Sequence, residues 1–187
     1  MESRKVRRME TRTERIKKMP PSIWPYIKTI AAAVILALVL RYLVVFAVAV
    51  EGPSMESTLQ TGNIVLVEKV SYYFNPPSRM DIVIVEYPNR EGYYVKRVIG
   101  LAGETVEVKE GRVLIDGKML SDPQNEEGMV RDMDAVTVPP GSVFVMGDNR
   151  NHSLDSRDDS VGCIPLSAVK GRGVLLIWPL DKLKTLE

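Results

Sequence analysis

Hydrophobic residues are distributed along this chain in two different ways. From Trp24 to Phe46 they form a nearly continuous run, in which Lys28 and Arg41 are the only charged side chains. A helix that crosses a bilayer needs about 20 predominantly apolar residues. Because an arginine at mid-membrane costs at least about 2.5 kcal/mol, we expect Arg41 at an interface. The pattern predicts a transmembrane helix over residues 23–45.

Basic residues before this run indicate its direction. Residues 1–28 contain nine lysines or arginines and three glutamates, and the positive-inside rule places such a flank in the cytoplasm. We therefore expect a basic cytoplasmic tail (1–22), the helix (23–45) and an extracytoplasmic domain (46–187). A cleaved secretory signal is the alternative, since AVAVEGPS resembles a small-residue cleavage site, but its apolar core would have only about 7–15 residues.

Beyond Phe46 the apolar residues occur in short runs rich in β-branched side chains. Turn residues such as Asp116-Gly117 and Pro139-Pro140-Gly141 separate these runs. The pattern predicts a mainly β domain with strands at 63–67, 81–86, 93–99, 105–108, 112–115, 136–138, 143–145 and 174–178, of which 105–115 is a hairpin. Residues 121–134 are polar and aperiodic, which predicts a surface excursion.

Composition narrows the possible chemistry. The 187 residues include one cysteine, Cys163, and one histidine, His152. A single cysteine excludes an internal disulfide, and a metal site would need carboxylates because only one imidazole is present. Neither a metal-ligand spacing nor a phosphate-binding glycine loop occurs. We expect no metal and no cofactor.

Ser54 lies in the turn-rich stretch GPSM, directly after the apolar run. Gly and Pro turn the backbone there, so that an N–H beside the hydroxyl can face a reacting carbonyl. The alternative is a turn serine that caps a short helix. Ser54 is eight residues beyond Phe46, which keeps it within about 26 Å of the end of the apolar run at about 3.3 Å per residue.

Lys96 lies in the predicted strand GYYVKRVIG. Alternation places it on one face with Tyr94 and Val98, and Val95 on the other. Burial beside these neighbours favours the neutral amine, and lowering the pKa from about 10.4 to about 8 corresponds to roughly 3 kcal/mol. The alternative is an exposed lysine on an edge strand.

The stretch MGDNRNHSLDSRD contains closely spaced charges between apolar runs. Alternating acids and arginines, Asp148, Arg150, Asp155 and Arg157, predict a segment that is rigid through mutual pairing. The alternative is an ordinary solvated loop.

Taken together, GPSM, YYVKRVIGLAGETVEV, MGDNRNHSLDSR and GCIPLSAVKGR, in this order behind one apolar run, resemble the type I signal peptidases, the membrane-bound Ser-Lys proteases of bacteria. The resemblance covers residues 41–187, and GDNRNHSLDSR is its most specific part. It implies a signal-peptidase-like, β-rich catalytic domain after one transmembrane helix. It also implies a bacterial cell-membrane location, single-pass with the N-terminus inside.

The resemblance also implies site residues. Ser54 corresponds to the nucleophile, Lys96 to the general base and Ser153 to the hydroxyl that orients the lysine amine. The supporting residues are Asp155 and Arg157, which hold the segment as a pair, Asp148 and Arg150, which support it, and Met55, a wall residue beside the nucleophile.

One position departs from the pattern of some members. They carry Ser or Thr two residues before the nucleophile, as a side-chain donor to the oxyanion, whereas this chain has Gly52. The backbone N–H of Ser54 must then contribute, and the second donor is left open. His152 occupies a position where the family tolerates other residues.

The expected function is removal of signal peptides from exported preproteins at the outer membrane face, with a preference for small side chains at the first and third positions before the cut. Its partners would be preproteins and the lipid bilayer. Two alternatives stay open: a Ser-Lys self-cleaving or specialised membrane processing peptidase, and a membrane-anchored β domain that binds without catalysis. The self-cleaving regulators carry a DNA-binding domain; here we expect no nucleic-acid partner.

Overall fold

The computed structural model describes residues 23–39, 44–88, 90–124 and 128–186. The predicted basic tail, residues 1–22, lies outside these ranges, and so does Arg41. The chain divides into two units, residues 1–39 and 40–187.

The first unit contains helix α1, Trp24–Val39, whose 16 residues are mostly apolar and include none that is buried. Among the described residues, no helix combines the length and the apolar character that crossing a membrane requires. The predicted span reached residue 45, and this boundary is wrong because Val45 opens strand β1. Val45 pairs with Glu68 of a neighbouring strand, so its backbone hydrogen bonds belong to a sheet.

The second unit is mainly β, as predicted. Its described strands are β1 Val45–Ala49, β2 Ile64–Glu68, β3 Ile82–Val85, β4 Tyr94–Gly100, β5 Thr105–Lys109, β6 Arg112–Ile115, β7 Lys118–Met119, β8 Met133–Thr137, β9 Ser142–Met146, β10 Ile164–Pro165, β11 Val169–Trp178 and β12 Lys184–Thr185. One short helix, α2 Ser71–Phe74, follows β2, and 3₁₀ turns occupy Leu166–Ala168 and Leu180–Lys182.

Every predicted strand overlaps an observed one. The pattern missed β1, whose first residue it assigned to the membrane helix, and the two-residue strands β7, β10 and β12, which are too short to show alternation. The predicted surface excursion at 121–134 is wrong at its end, since Met133 begins β8 and pairs with Val108.

The strands form two antiparallel sheets. The larger has the order β1-β2-β11-β3-β4-β9-β10, with β12 paired to β11; the smaller has the order β7-β6-β5-β8. The predicted hairpin at 105–115 is present as β5 and β6. In the larger sheet, β1 lies at one end and β4 is central.

Three apolar clusters form the core, and β4 contributes to all of them. Val95 packs in the first cluster with Met55, Val98 in the second with partly buried Tyr94, and Ile99 in the third. The alternation predicted for β4 therefore holds, and Lys96 lies on the face of Tyr94 and Val98.

Candidate active site

Ser54 lies in a tight turn after β1. Gly52 has a φ of +84°, in the left-handed region that favours glycine. The amide of Glu56 donates to the Pro53 carbonyl at 3.0 Å, and the amide of Leu59 donates to Met55 at 2.7 Å. Met55 and Leu59 are buried in the first cluster. The two buried side chains thus hold the turn on the core, while Ser54 itself stays partly exposed.

A groove of about 620 Å³ opens beside this serine. One wall is β1 with the turn that follows it, and the other is the start of β4 with the residues before it. The lining residues are Ala47, Val48, Ala49, Val50, Glu51, Gly52, Ser54, Met55, Glu91, Gly92, Tyr93, Tyr94 and Val95. A strand on one wall gives an extended peptide backbone groups to pair with.

Lys96 follows the groove residues Tyr94 and Val95 directly and is only 2% exposed. Burial lowers the pKa of its amine to about 8, because a charged ammonium loses its hydration there. The charge of Asp155 acts in the opposite direction, and that of Arg157 adds to the lowering. About half of the amine is therefore neutral at pH 8.

The segment after β9, residues 147–157, meets the Ser54 turn at Gly147. A Cβ at Gly147 would overlap both the Ser54 carbonyl oxygen and the Ser153 Oγ, so only glycine permits this approach. The amide of Asn149 donates to the Ser54 carbonyl at 3.0 Å, and its side-chain Nδ2 donates to the Pro53 carbonyl at 3.2 Å. The Ser54 carbonyl and the Ser153 hydroxyl are thus both brought against the space that a side chain at position 147 would occupy.

The Ser153 hydroxyl is buried and has no hydrogen-bond partner within the described part of the chain. An unpaired buried hydroxyl costs about 1–3 kcal/mol. The expected hydrogen bond from Ser153 to the lysine amine is therefore not formed in this structure. The hydroxyl keeps its full capacity to donate and accept.

Asp155 organises the remainder of this segment. Its carboxylate accepts from the Gly147 amide at 2.9 Å and from Nε and Nη2 of Arg157 at 2.8 Å each. This bidentate pair agrees with the pairing predicted for Asp155 and Arg157. It fixes the Asp155 carboxylate against the glycine that touches Ser54.

The predicted mutual pairing does not extend to Asp148 and Arg150. Asp148 accepts from Nε and Nη2 of Arg97 on β4, at 2.8 and 2.7 Å, and Arg150 pairs with Asp122. Each ion pair joins the segment to a distant part of the chain, which spacing within the segment cannot reveal.

His152 is exposed, and its Nδ1 contacts the Asn149 Oδ1 at 3.1 Å. Both oxygens of Asp155 are occupied by Arg157 and the Gly147 amide. A His-Asp pair of the kind used in Ser-His-Asp enzymes is therefore not formed.

Sequence reasoning missed several residues of the site. Gly147 and Asn149 lie inside the charged motif but were given no role, and Arg97 and Asp122 are partners of that motif. Tyr87 was also missed: it donates to the Leu154 carbonyl at 2.8 Å. Its sequence signal, a tyrosine before proline at the end of a strand, does not indicate where its hydroxyl points.

Comparison with known proteins defines the class. A family model described as "Signal peptidase, peptidase S26" matches residues 23–178. Signal peptidase I of Leptolyngbya laminosa is 40% identical over 165 residues, 84% of this chain and 80% of that protein. Signal peptidase I of Bacillus licheniformis is 36% identical over 173 residues, 87% and 92% of the two chains.

A crystal structure of a signal peptidase I from Enterococcus faecalis V583 is 33% identical, with a TM-score of 0.46; the match covers 52% of this chain and 97% of that one.

The family model and the two relatives place the protein among the serine peptidases, as a hydrolase. The chain belongs to the signal peptidase family, peptidase S26. Its activity is that of a type I signal peptidase, which acts on the signal peptides of preproteins.

The Arg97–Asp148 pair generates a prediction about stability. Their side chains are 3% and 0% exposed, so Arg97→Ala leaves a buried carboxylate without its ion-pair partner, and we expect a loss of about 3–5 kcal/mol in the free energy of unfolding. The matched control is Lys170→Ala, which breaks a pair with Glu86 whose side chains are 31% and 44% exposed; its loss should be about 0–1 kcal/mol.

The measurement is urea unfolding of the full chain in detergent, with circular dichroism as the signal that reports the unfolded fraction. Equal losses in the two variants would contradict the assigned difference in burial.

Proposed function

We propose that Ser54 is the nucleophile and Lys96 the general base of this signal peptidase. The observation that carries the proposal is the buried lysine amine, whose pKa is lowered to about 8, on the strand whose residues Tyr94 and Val95 line the same groove as Ser54. A base must be unprotonated to accept the serine proton, and burial supplies that state without a metal or a second base.

In the proposed reaction, the neutral amine of Lys96 takes the proton of the Ser54 hydroxyl as the oxygen attacks the scissile carbonyl. The resulting ammonium returns a proton to the leaving amine when the peptide bond breaks. Water then hydrolyses the acyl-enzyme ester, with the neutral amine accepting a proton from the water; the ammonium returns that proton to the Ser54 oxygen as the ester bond breaks, which regenerates the hydroxyl and the neutral amine. The lysine thus acts as base and then as acid in each of the two half-reactions.

The oxyanion formed during attack needs hydrogen-bond donors already in position. We assign one donor to the backbone N–H of Ser54. Gly52 has no side chain to offer, and its left-handed φ supports a different role, that of shaping the turn which presents Ser54. The second donor is not assigned.

The segment after β9 supplies support in this proposal. Ser153 orients the lysine amine, and the unsatisfied state of its buried hydroxyl favours such a role. Asp155 and Arg157 hold the segment in place, and Asp148 and Arg150 tie it to the rest of the domain through Arg97 and Asp122. Met55, buried beside Ser54, is the wall residue.

The free edge of β1 supports binding of the substrate as an added strand. Among the described strands β1 pairs with β2 alone. The amide of Val50 donates to the Asn63 carbonyl and Val44 accepts from the Lys69 amide, so even-numbered residues direct their backbone groups towards β2. The N–H and C=O groups of Ala47 and Ala49 consequently point outward, at the groove, where an extended peptide can bond to them.

The location of the site follows from the N-terminal segment. We propose that α1, which is mostly apolar, forms part of a membrane anchor with the basic residues 1–22 in the cytoplasm and the second unit outside. The short connection from the apolar run to Ser54 then keeps the site near the bilayer, where the apolar part of a signal peptide resides.

The choice of base generates the first prediction here. Lys96→Met keeps a similar volume in the core but removes the amine, and we expect a loss of at least about 10³-fold in kcat, as for Ser54→Ala, because each removes a reacting group. His152→Ala should retain activity, since His152 is exposed and contacts Asn149. Cleavage of a preprotein in detergent is measured, and circular dichroism checks folding of each variant.

The pH dependence of the cleavage rate distinguishes a lysine base from a histidine base. A lysine base with a pKa of about 8 is active when neutral, so the rate should rise with pH through about 8; a histidine base would give a limb near about 6.5. Activity that survives in Lys96→Met and disappears in His152→Ala would refute the dyad.

The second prediction concerns substrate choice. If small side chains are required at the first and third positions before the cut, a model preprotein with phenylalanine at the first position should be processed at least about 10²-fold more slowly than one with alanine. Phenylalanine at the second position, whose side chain points away from the groove in an extended peptide, is the matched control and should be cleaved within a few-fold of the parent. Equal processing of all three would rule out the proposed preference.

A further inference from the structure

Tyr87 follows β3 and is only 4% exposed. Its hydroxyl donates to the Leu154 carbonyl at 2.8 Å. Leu154 lies between Ser153 and Asp155 in the sequence, so this bond holds the backbone of the segment after β9.

The ring of Tyr87 makes a second connection. It stacks on Tyr94 with ring centroids 4.1 Å apart and an angle of 7° between the ring planes. Tyr94 begins β4, lines the groove and shares a face with Lys96 two residues later. One buried side chain therefore joins the strand of the lysine to the segment of Ser153.

Other contacts fix this segment on both sides of Ser153. On the C-terminal side, Asp155 is held by Arg157 and the Gly147 amide, and the Ser156 hydroxyl accepts from the Val145 amide at 3.0 Å. On the N-terminal side, the Asn149 amide donates to the Ser54 carbonyl. The Ser153 hydroxyl itself makes no hydrogen bond to any described residue, so the bond from Tyr87 to the Leu154 carbonyl fixes the backbone directly after it.

We propose that Tyr87 is a positioning residue for signal-peptide cleavage: its hydroxyl fixes Leu154 so that the Ser153 hydroxyl faces the Lys96 amine, while its ring aligns that segment with β4. The proposal rests on the functions proposed above for Lys96 and Ser153. Burial, together with the nearby charge of Asp155, raises the pKa of Tyr87, so the hydroxyl stays protonated and remains a donor over the working pH range.

The test is Tyr87→Phe in the full chain, because it removes the hydroxyl and keeps the stacked ring. We expect kcat to fall about tenfold with KM within about twofold of the parent. We also expect the acid limb of the pH-rate profile to move to higher pH, since a displaced segment admits water and weakens the desolvation of the lysine.

Tyr72→Phe is the matched control. It also removes one tyrosine hydroxyl from a hydrogen bond, here to Asp81 Oδ2 at 3.0 Å, and Tyr72 packs on the same apolar cluster as Tyr87. Its kcat and pH profile should be those of the parent. Equal kinetic losses in both variants, or a kcat within twofold of the parent in Tyr87→Phe, would overturn the proposal.

A double-mutant cycle shows whether Tyr87 acts through Ser153. In a Ser153→Ala background, the additional loss in kcat from Tyr87→Phe should shrink from about tenfold to about twofold or less. An undiminished additional loss, or a parental kcat in Ser153→Ala alone, would overturn the proposal. Failure of the dyad itself is a separate result: it would appear as activity retained in Ser54→Ala or Lys96→Met.

Discussion

The site depends on the burial of one amine. Lys96 has only 2% of its surface exposed, and loss of hydration is the largest influence on its pKa. The carboxylates of Asp155 and Asp148 act against that lowering. Arg157 and Arg97 bind these carboxylates directly, and so limit the negative field that would otherwise return the proton to the amine. In this account, the ion pairs make a neutral lysine on β4 possible although the carboxylates of Asp148 and Asp155 are nearby.

The fold supplies the burial through β4, which lies between β3 and β9 in the larger sheet. Every residue of β4 after Tyr94 is buried, so a lysine on this strand is desolvated. The turn at Ser54 and the segment after β9 then meet over Gly147, where the absence of a side chain allows both to approach. Rigid strands thereby hold one proposed reacting group, and well-bonded turns present the other.

The sequence predicted the β class and all of the longer strands except β1, because alternation and turn residues are local properties. The predicted end of the membrane helix was wrong at Val45. An apolar residue at the end of an apolar run is assigned to the helix unless its partner strand is known, here β2 through Glu68. The candidates Ser54 and Lys96 came from motifs. Their supports Arg97, Asp122 and Tyr87 did not, because each acts across 28–67 positions of sequence separation, which is set by sheet pairing.

The most direct test of this account is the titration of Lys96 itself. Lysine side chains labelled with ¹³C at Cε are followed by NMR in full-length Ser54→Ala in detergent, and a further Lys96→Met change assigns the resonance. The account predicts a Lys96 midpoint near about 8, against about 10.4 for lysine in a model peptide. A Lys96 midpoint at the ordinary value would contradict it, because the amine would then be charged when the protein is at work.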